Sequence, residues 1–213
     1  MGFHRGQIEL TVSNTVFGSA PGVQGARAPW SCDAHAHLPP SPLMADTFNA
    51  FFMTMRGKFT APGTSIHYYV VEFDPKTLPW ADFRGKVLGP TDPKDAPDDA
   101  LRGIIAKDWE KLGLKAPCNG GDNAVHASAS PFEGLAERTN WLAGSIADDA
   151  FGKVLLDKGV PEATIKAWSS DPQVKYDAET AKDTGKEKGS IFDALEDLDL
   201  DACLAKCVAI SSA

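Results

Sequence analysis

Eight consecutive residues, Ile66-His-Tyr-Tyr-Val-Val-Glu-Phe73, constrain the fold more than any other segment. β-Branched and aromatic side chains fall on both alternating faces, which predicts a central strand buried on two sides. A shorter run over residues 7–12, Gln-Ile-Glu-Leu-Thr-Val, alternates with period two and predicts a second strand. Between them, residues 13–42 are rich in Gly, Ala, Ser and Pro and lack a helical apolar period, so they predict loop. Residues 46–55 carry apolar side chains at 48, 51, 52 and 55 behind Asp46 or Thr47 as N-cap, a helix face that a turn at Ala61-Pro62-Gly63 closes off.

Downstream, Ser130 followed by Pro131 predicts an N-cap and first helical position, opening a helix within residues 128–142. Beyond residue 147 the chain turns acidic, with helices expected over 150–158, 161–168 and 190–208 and a polar stretch over 177–189. The divisions are an extended N-terminal segment with one short strand (1–45), a domain of strands and helices (46–147) and an acidic helical extension (148–213). With 213 residues, 43% of them hydrophobic, the chain has material for one substantial core.

A formal charge of -8 argues against nucleic acid or an anionic membrane as principal partner, because both reward clustered Lys and Arg. No apolar run reaches the roughly 18 residues of a membrane span, and residues 1–6 lack the apolar stretch of a secretory signal. The four cysteines form no CxxC pair and are too sparse for a disulfide scaffold, which predicts an intracellular, reducing compartment. Cys203 and Cys207, four apart on an expected helix, read as packing residues.

Two patterns suggest metal chemistry. In Asp33-Ala-His35-Ala-His37, alternate histidines on an extended chain point the same way, a minor alternative in which His35 and His37 serve a metal-dependent hydrolase. The residues before it are no buried barrel strand, so a surface loop is the plainer expectation. In Asp197-Leu-Asp199-Leu-Asp201 the alternating carboxylates lack the Gly and Glu of a calcium loop and read as an acidic helix face.

A third pattern is a set of pieces in one order: Lys86-Val-Leu-Gly89-Pro-Thr91-Asp-Pro93, then Leu101-Arg102-Gly103, then Gly121-Asp-Asn123-Ala-Val-His126-Ala-Ser128-Ala-Ser130. Over about residues 48–142 the chain resembles the nucleoside diphosphate kinases, whose corresponding segments read Gly-Arg-x-Met-x-Gly-x-Thr-Asn-Pro, Ile-Arg-Gly-Asp-Phe and Gly-Arg-Asn-x-x-His-Gly-Ser-Asp-Ser. The resemblance implies an α+β fold, a ferredoxin-like antiparallel sheet with helices on one face. It implies that His126 carries a phosphoryl group between nucleoside tri- and diphosphates, with Mg2+ accompanying the nucleotide. By the same match Arg102, Thr91 and Lys86 hold phosphates, Asn123 bonds the sugar, Phe52 lies near the base, Ser128 sits beside the histidine and Glu137 orients its ring.

Departures from the family point to weak or lost transfer. No Lys-Pro-Asp-Gly motif occurs, Lys86 replaces an arginine, Ala127 and Ala129 replace Gly and Asp, and residues 110–120 are an insertion. The expectation is a divergent kinase-like domain acting as a structural or regulatory subunit of a larger assembly or homo-oligomer. The alternative is an active nucleoside diphosphate kinase.

Overall fold

The two apolar runs pair with each other to begin the sheet. In the computed structural model, which describes residues 6–13, 61–62 and 66–212, strand β1 (Gly6–Ser13) lies antiparallel to β2 (Ile66–Phe73) along its whole length, from Gly6 opposite Phe73 to Ser13 opposite Ile66. The other side of β1 takes a three-residue strand, β3 (Val125–Ala127), with Thr11 opposite His126. The order is β2-β1-β3, so β2 and β3 run parallel to one another with β1 between them.

The expected centre of the sheet is thereby corrected. Among the described residues β1 is the middle strand, and β2 stands at the edge with Tyr68, Tyr69 and Val70 exposed. Its Val71 and Phe73 pack against a cluster formed by Trp80, Phe83, Leu88, Val125 and Ala127. The composition of β2 reports a fit to a pleated surface, and that fit does not specify how many neighbours a strand has.

After β2 the chain forms a helical turn, α1 (Trp80–Asp82), that continues as a π-helix, Phe83–Leu88, and then the helix α2 (Leu101–Lys107). Gly89, at φ 93°, turns the chain between them. Gly103 is required for a different reason: a Cβ there would lie 2.0 Å from the carbonyl oxygen of Pro97. Gly103→Ala is therefore expected to force α2 off the 97–100 turn and destabilise the protein by about 1–3 kcal/mol, read from the denaturant midpoint.

Helix α3 (Pro131–Trp141) starts as its sequence predicts, with the Ser130 hydroxyl accepting from the Glu133 N–H and Pro131 at the first position. Glu133 returns the favour by accepting from the Ala129 N–H, a variant of the capping box. Beyond residue 147 come α4 (Ala150–Asp157), α5 (Glu162–Trp168), a small antiparallel pair β4 (Gln173–Lys175) and β5 (Lys188–Ser190) flanking α6 (Ala178–Thr184), then α7 (Ile191–Leu195) and α8 (Leu200–Ser211).

Two expectations for this region change. The polar stretch 177–189 contains α6, opened by the Asp177 carboxylate on the N–H groups of Glu179 and Thr180. The single helix expected over 190–208 is broken, because Asp197 takes a positive φ of 58° and Asp199 stands at the N-cap of α8. The acidic alternation is thus a helix break rather than a helix face.

The larger core runs across residue 147. Phe132 and Leu135 of α3 are buried with Phe151, Leu155, Ile165, Leu195 and Cys207. Cys203 and Cys207 are both fully buried there, as packing residues are. Polar links join the two clusters: Trp80 Nε1 donates to the Ser128 carbonyl at 2.9 Å, and the Trp80 N–H donates to Asp199 Oδ1 at 2.8 Å. Arg84 bridges to Glu196 and Asp197, and the Asp197 N–H donates to the Ala129 carbonyl. No helix among the described residues is long and apolar enough to cross a membrane.

Candidate functional site

Alternation along β3 decides what His126 can do. Val125 and Ala127 point into the core, so His126 points out, with about half of its side-chain surface (51%) open. Helix α3 follows directly and brings Glu133 and Glu137, one turn apart, over the same spot. His126 Nε2 lies 2.7 Å from Glu137 Oε1, and the Ser128 hydroxyl donates to Glu137 Oε2 at 2.5 Å. His126, Glu137 and Ser128, singled out by sequence, thus form one chain of contacts, in which Glu137 engages one ring nitrogen and leaves Nδ1.

Burial of the imidazole favours its neutral form, but the hydrogen bond and charge of Glu137, with the charge of Glu133, outweigh that and hold the His126 pKa above its ordinary value; Arg102 acts against them. Glu133 is also held above the usual carboxylate range, first by burial and then by the nearby charge of Glu137. The Ala129 N–H, His126 and Arg84 act in the opposite direction on it.

The other expected site residues occupy a neighbouring region. Arg102 donates through Nη1 to the Gly89 carbonyl at 2.7 Å and through Nη2 and Nε to the Val125 carbonyl at 2.9 and 3.3 Å. Asn123 Nδ2 donates to the Thr91 carbonyl at 3.0 Å. The three ordered sequence motifs are therefore stitched together by main-chain carbonyls, and Arg102 and Asn123 do the stitching. Lys86 is exposed and paired with Asp82 at 2.8 Å. Comparison with protein-family models, with curated proteins and with solved structures gives no match.

Phe52, His35 and His37 lie outside the described residues, as does the helix expected over 46–55.

A cleft of about 330 Å³ opens beside His126. It is lined by Arg84, Ala129 and Glu133 and, from beyond residue 147, by Asp171, Phe192, Asp193 and Glu196. Half of its lining residues thus come from the acidic extension, and the sequence reading missed all four of them. Glu133 carried a local signal in the Ser130-x-x-Glu133 spacing. Arg84 and the carboxylates of the extension carried none, since only tertiary packing brings the π-helix that bears Arg84 and the extension's segments around α7 to one cleft.

Proposed function

We propose that His126 is a phosphoryl acceptor in a divergent nucleoside diphosphate kinase-like domain, and that its turnover is slow. The observation that supports this reading is the Ser128–Glu137–His126 chain of contacts. With the Nε2 proton donated to the Glu137 carboxylate, the lone pair of a neutral imidazole is on Nδ1, on a half-open ring beside a cleft. Nδ1 can attack the γ-phosphorus of a nucleoside triphosphate. The N–P bond forms as the bond to the bridging oxygen breaks, and the diphosphate leaves with that electron pair. The ring gains positive charge in the step, and Glu137 is placed to absorb it.

Strand order gives further support. A first strand lying between two later strands that run parallel to each other is one split β-α-β unit, the half-fold from which ferredoxin-like sheets are built. Slow turnover is read from the surroundings. Arg102 commits three N–H groups to carbonyls, and Glu133, Asp171, Asp193 and Glu196 around the cleft would repel bare phosphates. The same carboxylates suit a nucleotide that arrives with Mg2+, whose charge offsets theirs.

The committed Arg102 and the acidic cleft also favour a second reading, a non-catalytic domain retained for docking in a larger complex or homo-oligomer. Incubation with γ-labelled nucleoside triphosphate and Mg2+ separates the two. The expected result is an acid-labile, base-stable phosphoprotein, with no label on His126→Ala. Wild-type protein that takes up no label would leave the docking role standing.

A further inference from the structure

We propose that His126, Glu133 and Glu137 together bind one divalent first-row transition metal ion. One ring nitrogen and one oxygen from each carboxylate all lie within 4.8 Å of each other, a mixed nitrogen and oxygen set that suits Zn2+, Mn2+, Fe2+ or Co2+ better than Mg2+. Helix α3 fixes two of the ligands one turn apart, and β3 supplies the third from across the gap.

The orientation of each carboxylate fits this use. Glu137 Oε2 accepts from the Ser128 hydroxyl and Glu133 Oε2 accepts from the Ala129 N–H, so each is anchored through one oxygen. Their Oε1 atoms are then left for a cation, with that of Glu137 already against His126 Nε2. Partners of this kind on the far oxygen hold metal-ligating carboxylates in position. The adjoining cleft, about 330 Å³, has room for the water or small-ligand positions that three protein ligands leave unfilled.

A metal on Nε2 has a consequence that rests on the preceding reading. A neutral imidazole that gives its Nε2 lone pair to a metal keeps its proton on Nδ1, so it has no lone pair for phosphorus. Transition-metal binding and phosphorylation of His126 are thus mutually exclusive.

The full-length chain, stripped with a chelator and then freed of it, is titrated with Zn2+ by calorimetry and with Co2+ by visible absorption, in the absence of nucleotide. One Zn2+ per chain is expected, with affinity reduced at least about tenfold in both His126→Ala and Glu133→Gln. Glutamine keeps an oxygen for the Ala129 N–H and so preserves the start of α3, which circular dichroism verifies. No Zn2+ uptake by the wild type, or uptake that both variants retain in full, overturns the site. In a second arm, Zn2+ at saturation should abolish nucleotide labelling that Mg2+ alone supports; labelling undiminished by bound Zn2+ overturns the mutual exclusion. Failure of labelling without Zn2+ bears on the kinase-like reading and leaves the calorimetric result to stand by itself.

Discussion

Glu137→Gln is expected to slow phosphate incorporation at His126 by about 100-fold or more. Glutamine keeps an oxygen near Nε2, yet it removes the charge that compensates the imidazolium developing as Nδ1 bonds phosphorus. The same substitution is expected to lower the His126 pKa, because the hydrogen bond and charge of Glu137 are the largest influences raising it. Wild-type labelling should rise with pH through the elevated His126 pKa, since the protonated ring has no nucleophilic lone pair, and in Glu137→Gln that rise should move to lower pH. The groups facing the ring are Glu137 and Glu133 from α3 and Arg102 from α2, with Arg84 from the π-helix and Asp171, Asp193 and Glu196 from the extension lining the cleft beside it. Imidazole C–H shifts followed by NMR, beside initial labelling rates, give both quantities; an unmoved pKa would count against the Glu137 contact.

The sign for stability is the reverse of the sign for reactivity. A folded-state pKa raised above that of the unfolded chain means that the His126–Glu137 pair adds stability at pH below the unfolded imidazole value. That contribution is lost as pH rises through the folded value. Labelling and this stabilisation therefore change in opposite directions across the same pH window.

Phe132→Ala is expected to cost about 3–5 kcal/mol of folding stability, seen as a fall in the denaturant midpoint. The ring is fully buried and meets Trp168 and Phe192 edge-on at centroid distances of 6.0 and 6.1 Å. Its removal leaves a cavity between α3 and the acidic extension that these rigid neighbours cannot readily fill. The next residue is Glu133, and Glu137 is four further along the same helix, so a loosened α3 also releases the groups that hold His126. Loss of stability with unchanged labelling would show that α3 keeps its place without this anchor.

Local physics made part of this molecule legible from the sequence. The bounds of β2 follow from an eight-residue run dominated by β-branched and aromatic side chains, and the start of α3 follows from Ser130 and Pro131, because pleating and capping act within a few residues. The contact between His126 and Glu137, 11 residues apart, was implied only by the family resemblance; in the structure a short strand leading into a helix leaves little freedom in where the carboxylate returns. The break at Asp197 was not legible. Leu-Asp alternation is compatible with a helix face, and the turn is held by contacts from Arg84 and Ala129, far away in the chain.

Sequence by itself determined the elements whose signals are local: β2, the capped start of α3 and the packing role of Cys203 and Cys207. Tertiary structure alone decided that β1 takes the middle of the described sheet and that Arg102 is spent on the carbonyls of Gly89 and Val125. It also decided that the extension beyond residue 147 completes both the core and the cleft wall. The physical reason is range. Capping and alternation are settled among neighbours in the chain, whereas strand order, buried apolar contacts and ion pairs such as Arg84–Glu196 depend on which distant surfaces fit together.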